Sequence, residues 1–417
     1  MIWANAVSFV NARVLPPAPG GVPAESIRVS SRILSIGERP KPHDTVVDLR
    51  GAIVLPGLIN AHDHLELNHY GRLKGRERYD NASAWIDDMR PRLAADPAIR
   101  EGRSQPLVER LFIGGLKNLL AGVTTVAHHN PFYPEMRRTM PVRVVRRYGW
   151  AHSFLLERQP AGARGEPGGD VARRWQATPA DAPFVLHLAE GVDDAARDEL
   201  PRLEALGCLK PNTVIVHGVA IDVDGWRRVA DAGAGLVWCP GSNDFLFGRS
   251  VPVCDLLDST TDGAAGQLAA AHVNIALGTD ARITGSRDLL DELRVARAAA
   301  PVSPTELLRM VTTGPAVLLR QPKSGHLTVG APADLMVIPP FEPDPAAALL
   351  KTTRRDVRLV MVGGRPLVSD PDLASVFRAR LTRLRPLRVD QAPKLAESGL
   401  VRRLAGCPIA EPGVTAT

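Results

Sequence analysis

Residues 58–64 read LINAHDH, and this stretch decides the reading of the chain. Leu58, Ile59 and Ala61 make it a buried β segment, while His62 and His64 stand two positions apart. Side chains on a strand repeat with period two, so both imidazoles leave the same face, and Asp63 between them points the other way into a structural role. A lone histidine on a strand is more often a satisfied core residue than a ligand. A pair two apart at a strand end is a metal-ligand pattern, provided other ligands arrive from elsewhere in the chain.

Working outward, further short apolar runs alternate with helical stretches, the pattern of βα units on a parallel sheet. Strands are expected near 58–64, 123–128, 150–156, 184–190, 213–218, 234–239 and 274–280. A (β/α)8 barrel needs one more. The interval between Leu156 and Phe184 holds a Gly/Pro/Arg-rich loop and a short helix, DVARRWQA, so one strand is either hidden or degenerate. Three of these strands end on residues able to bind metal: His187 closes FVLH, His217 closes TVIVH, and Asp280 follows IALGT. Catalytic residues of βα barrels collect at these C-terminal strand ends. Three imidazoles and a carboxylate suit Zn2+, with Fe2+ or Mn2+ also compatible. Glu190, three residues after His187, is placed to overhang such a centre as an acid/base.

The flanks read differently. SIRVSSRILSIGE (26–38) and HDTVVDLRGAIVLPG (43–57) alternate like half-buried strands, and GHLTVGAPADLMVI (325–338) and VRLVMVGGRPLVSD (357–370) return to that style. The expected architecture is therefore α/β. Residues 1–57 and 322–370 are the two parts of a small β-sandwich domain built from both termini. Residues 58–321 form the metallo-(β/α) barrel, and 371–417 form a helical tail (DLASVFRARLTRL, KLAESGLVRRLAG).

Composition narrows the function classes. The chain has 417 residues and a formal net charge of +6, carried almost wholly by scattered arginines with no basic stripe interleaved with aromatics. That distribution fits an arginine-favouring codon usage and argues against a nucleic-acid partner. No apolar run is long enough to span a bilayer, and the N-terminus lacks a basic region followed by an apolar one. The expected partner is a small-molecule substrate, with no membrane, and the expected compartment is the cytoplasm. Cys208, Cys239, Cys254 and Cys407 form no CxxC pair and read as reduced thiols.

The series PGLINAHDH, GVTTV, HLAE, VHG, CPGSN, LGTD and GHLTVGAPADLMVI, running in this order from about residue 5 to 370, resembles the amidohydrolase superfamily. The nearest branch holds the cytosine, guanine and S-adenosylhomocysteine deaminases and the triazine hydrolases. That resemblance implies one divalent metal on His62, His64, His187 and Asp280. It implies that His217 orients water or substrate, that Glu190 serves as acid/base, and that the protein is a homodimer. Two-metal members use a carboxylated lysine, and no lysine lies between Lys117 and Lys210. The implied reaction is hydrolysis of a C–N bond other than a peptide bond, foremost deamination of an amino-substituted N-heterocycle by metal-activated water. Hydrolysis of a cyclic amide or amidine, as in imidazolonepropionase, shares the ligand set, and the motifs near the metal do not separate the two. A catalytically inactive barrel acting as an assembly module is disfavoured, because all four ligand residues are present. Candidate substrate contacts are His69, Tyr70 and Arg72 after the first strand, His129 after the second, His152, Ser242, Asn243 and Arg282. An arginine such as Arg282, or Arg287 beyond it, could pair with an anionic group.

Overall fold

The computed structural model describes residues 5–16, 21–154, 169–257 and 273–416. Its centre is a set of short parallel strands: β1 (Leu58–Asp63), β2 (Val123–His128), β3 (Arg143–Val144), β4 (Gly149–Ala151), β5 (Phe184–Leu188), β6 (Thr213–His217), β7 (Gly235–Trp238) and β8 (Asn274–Leu277). They pair in the orders β1-β2-β3 and β4-β5-β6-β7-β8. β3 and β4 belong to one run of chain. Its beginning pairs with β2, Thr125 opposite Arg143, and its end pairs with β5, Gly149 opposite Phe184. The expected strand at 150–156 is thus the second half of a run that starts at Arg143, and Leu155 and Leu156 lie outside the described residues. The far edges meet as well. The N–H groups of Thr279 and Asp280 donate to the His62 carbonyl at 3.0 and 3.1 Å, and His64 N–H donates to the Asp280 carbonyl at 3.2 Å.

The strands are buried almost throughout, which is why they read as continuous apolar runs rather than alternating ones. One apolar cluster draws alternate residues from most of them: Ile59 and Ala61, Ala127, Val185, Val214 and Val216, Val237, Ala276. The β1–β2 register shifts between Asn60 and Asp63. Helix α1 (Leu107–Leu120) covers this region and touches the 3-10 turn Leu65–Leu67 just past His64. Gly114 permits the approach, since a Cβ there would lie 2.2 Å from the Leu65 carbonyl oxygen.

The two ends of the chain interleave, as their shared alternation predicts. Ile53–Pro56 pairs antiparallel with Leu335–Ile338 inside an eight-stranded sheet. A four-stranded sheet of Val7–Val10, Ile27–Val29, Ile33–Ile36 and Thr45–Asp48 shares one buried cluster with it, including Phe9, Ile27, Ile33, Val54, Leu335 and Leu359.

The expectation of a helical tail needs correction. Two helices are present, Ala374–Ala379 and Ser398–Gly406, but Leu384–Val389, Ala392–Glu397 and Val414–Ala416 are strands that extend the eight-stranded sheet. In the hairpin Leu384–Glu397 the burial alternates only weakly, with Arg385, Pro386 and Arg388 all exposed, so the strand period is faint in the sequence. Among the described residues no helix is long and apolar enough to cross a membrane.

Candidate metal centre

His62, His64, His187, His217 and Asp280 arrive from β1, the turn after it, β5, β6 and the loop after β8. All five are buried. The Nε2 atom of His187 lies 3.3 Å from that of His62 and 3.3 Å from that of His64. Asp280 Oδ1 lies 3.6 Å from His62 Nε2 and 3.5 Å from His64 Nε2. A tetrahedral ion with metal–nitrogen bonds of about 2.0–2.1 Å separates its ligand atoms by about 3.3–3.4 Å. Four of the six distances among the donor atoms are therefore near the edge lengths of such a polyhedron, and the atoms are the mixed N/O set that Zn2+ accepts.

The chain bends sharply to make this convergence. Ala189, His217 and Asp280 have φ of +54°, +73° and +55°, a left-handed conformation that costs non-glycine residues free energy. The three fall at the ends of β5, β6 and β8, where the strands must turn their last side chains toward one point. Gly278 lets β8 close on β1, because a Cβ there would come within 2.7 Å of His62 Cβ.

Each functional group is held from behind. Asp280 Oδ2 accepts hydrogen bonds from Ser242 Oγ at 2.8 Å and Thr284 Oγ1 at 2.6 Å. Burial works to raise its carboxyl, but the adjacent imidazoles of His62, His64 and His217 outweigh it and hold the group well below the usual carboxylate range. His217 Nδ1 is 2.8 Å from Asn243 Oδ1, which can only accept, so Nδ1 carries the proton. Its Nε2 faces Glu190 Oε1 at 3.4 Å. Burial, with Asp280 and Glu199 adding to it, raises the Glu190 carboxyl well above its ordinary value, which favours the protonated form that can donate. Burial lowers His62 to about 4 and His187 well below its usual value, as ligand imidazoles require.

Beneath the histidines lies a polar floor that motif reading missed. Lys117 of α1, with no exposed surface, donates to Asp63 Oδ2 (3.1 Å), Asn68 Oδ1 (2.7 Å) and Thr279 Oγ1 (3.1 Å). Asp63 also accepts from Asn60 (3.1 Å), Asn68 (2.6 Å) and Asn118 (2.8 Å). The available signal was a lysine and an asparagine set within the otherwise apolar LFIGGLKNLL. Glu66 and Asn130, bonded at 2.5 Å beside His64, were also missed.

Several expected substrate contacts are engaged elsewhere. Arg282 forms a double hydrogen bond with Glu411 of the C-terminal extension, at 2.7 and 2.6 Å, and is therefore unavailable to an anionic ligand. Arg287 pairs with Asp390 of the same extension. Ser242 and Asn243 support Asp280 and His217. His69, Tyr70 and Arg72 line a separate cleft of about 600 Å3 together with Arg282 and Ser286, and none of the converging histidines lines it. The His69 and Tyr70 rings meet at 3.8 Å, tilted by 40°, and Arg72 lies over Phe245. His129 is buried against His187, whereas His152 is half-buried, its ring parallel to that of His187 at 6.3 Å.

Comparison with known proteins finds three kinds of similarity. The sequence pattern of the amidohydrolase family matches residues 181–367. The solved atrazine chlorohydrolase of Arthrobacter aurescens, complexed with zinc, superposes with a TM-score of 0.66 at 21% identity, covering 90% of this chain and 100% of its own. Among curated proteins, the 5-methylthioadenosine/S-adenosylhomocysteine deaminase of Halobacterium salinarum is 27% identical over 83% of this chain and 88% of its own length. The 8-oxoguanine deaminase of Pseudomonas aeruginosa is 26% identical over 83% and 89%.

Proposed function

We propose that this protein is a mononuclear metal-dependent deaminase that hydrolyses the exocyclic amine of an N-heterocycle, with His62, His64, His187 and Asp280 holding one Zn2+. The observation that carries the reading is the convergence of three Nε2 atoms and one carboxylate oxygen, with four contacts of 3.3–3.6 Å among them, in a buried pocket beside Glu190. The names of both curated relatives, each a deaminase, support the reaction class.

A cation bound here lowers the pKa of coordinated water from 15.7 toward about 7, making hydroxide available at neutral pH. The remaining chemistry belongs to the side chains. Asp280, kept ionised and fixed by Ser242 and Thr284, can receive the water's proton. His217, its tautomer set by Asn243, leaves Nε2 bare to accept a hydrogen bond from the attacking water. As the water oxygen bonds to the amine-bearing carbon, Glu190 gives its proton to the ring nitrogen; Asp280 passes the water's proton to the amine, the C–N bond breaks and ammonia leaves, and the remaining hydroxyl proton returns to Glu190. Burial of this group is what keeps a carboxylic acid protonated at neutral pH.

In this reading the parallel strands close into a metal-dependent (β/α) barrel with seven strand positions, β3 and β4 sharing one. The barrel spans residues 58–321. Residues 1–57 and 322–370 form the two parts of a β-sandwich, and 371–417 form an appended unit.

The test is a panel of aminopurines, aminopyrimidines and related heterocycles assayed for ammonia, with metal analysis of the purified protein. Turnover with ammonia and a mass change of about +1 Da supports the proposal. Stoichiometric metal with ring opening and no ammonia replaces deamination by cyclic amide hydrolysis. A protein that holds no stoichiometric metal refutes the centre itself.

A further inference from the structure

His129 follows β2 directly and is 2% exposed. Its Nε2 lies 2.8 Å from the backbone carbonyl oxygen of Ala151. A carbonyl oxygen only accepts, so the hydrogen of this neutral ring sits on Nε2 and Nδ1 is left as a bare acceptor. That acceptor lies 3.3 Å from Nδ1 of His62, with the two rings at 84° to one another. The contact between two ring nitrogens is a hydrogen bond only if one carries a proton, and His129 has already placed its own toward Ala151. His62 must therefore donate from Nδ1, which leaves its Nε2 bare on the side where His187 Nε2 stands 3.3 Å away and Asp280 Oδ1 3.6 Å away.

We infer that His129 is a positioning residue that fixes His62 in its Nδ1-protonated tautomer and so aims its Nε2 lone pair at the metal. The inference rests on the reading of His62 as a ligand. It replaces the expectation that His129 touches substrate: both ring nitrogens are engaged, and one ring face stacks on His187 at 4.3 Å and 12°. Ligating histidines ordinarily pass their second N–H to a carboxylate, a carbonyl or water. Here a second imidazole takes that place and hands the orientation on to the backbone of β4. The relay also ties three strands together, since His62 belongs to β1, His129 follows β2, and Ala151 ends β4.

The test compares zinc affinity, by chelator competition, in wild-type protein and in His129→Phe and His129→Gln. Phenylalanine keeps the stacked ring and removes the acceptor. Glutamine offers an amide oxygen to His62 and an amide N–H to Ala151. Loss of an outer-shell partner typically weakens metal binding about 10–100-fold, which is the effect expected for His129→Phe, with His129→Gln restoring most of it. Wild-type affinity in His129→Phe, or equal losses in both variants, overturns the inference. Should the phenylalanine variant not fold, the nitrogen-15 histidine spectrum of zinc-loaded wild-type protein decides: His129 protonated on Nε2 supports the relay, and protonation on Nδ1 overturns it. Failure of the metal-centre reading looks different, because the wild-type protein would then bind no stoichiometric zinc.

Discussion

Replacing Lys117 by methionine tests the floor of the site. The ammonium group makes three hydrogen bonds, to Asp63, Asn68 and Thr279, and neither it nor Asp63 has exposed side-chain surface. Methionine fills much the same volume without the charge, so the cost is electrostatic rather than a cavity. Breaking a buried pair by removing one partner typically costs about 3–5 kcal/mol, because the remaining charge is stranded. Asp63 keeps its donors from Asn60, Asn68 and Asn118, which places the expected loss near about 3 kcal/mol. Urea unfolding of the zinc-free protein, read as a shift in midpoint at constant slope, measures it. The double variant Lys117→Met/Asp63→Asn removes both charges and should recover a large part of the loss. A single variant that loses less than about 1 kcal/mol, or a double variant no more stable than the single one, refutes the argument that a desolvated charge pair supports the metal ligands.

Glu190→Gln should retain zinc while turnover of whichever heterocycle is a substrate falls roughly 10²–10⁴-fold, the usual contribution of a general acid/base; metal analysis beside the rate assay checks both halves. Glu411→Gln leaves the Arg282 and Arg354 guanidiniums short of a counter-charge in a buried setting, and zinc affinity and unfolding midpoint should fall together, with Glu411→Asp recovering part of both. Glu292 is fully buried, its carboxyl pushed up to about 7 chiefly by burial. The folded state thus holds this proton more tightly than the unfolded chain does, so its stabilising effect is complete below about pH 4.5 and is lost as pH rises through about 7. Glu292→Gln should therefore gain stability relative to wild type between pH 4.5 and 8, by up to about 3 kcal/mol, in paired unfolding curves; an unchanged difference between those pH values contradicts it.

The candidate metal centre was legible because its residues sit at strand ends within runs whose periodicity is plain: LINAHDH, FVLH, TVIVH and IALGT each announce a buried strand and the side chain that finishes it. The supporting residues were not, for a physical reason. His129, Ser242, Asn243 and Arg282 were recognisable as polar residues near the site, but a sequence does not say whether a polar group faces the cavity or the back of a ligand. That depends on how strands are staggered, and the choice for His129 turns on the carbonyl of Ala151 in another strand. Lys117 lies on a helix, and only the tertiary approach allowed by Gly114 brings it beneath Asp63. The β3–β4 run was legible only in its second half, because pairing to two neighbours in succession leaves no turn signal at its middle.

The bond between Arg282 and Glu411 has a consequence for how sequences of this kind can diverge. Arg282 stands two residues from Asp280, and Glu411 comes from the appended C-terminal unit, which also supplies Asp390 to Arg287 and Arg354. A lineage that discarded the extension would inherit a guanidinium trapped without its anion, so positions 282 and 411 are expected to be gained and lost together. The pair is then a hallmark by which chains sharing this arrangement can be sorted from those that merely share the four ligands.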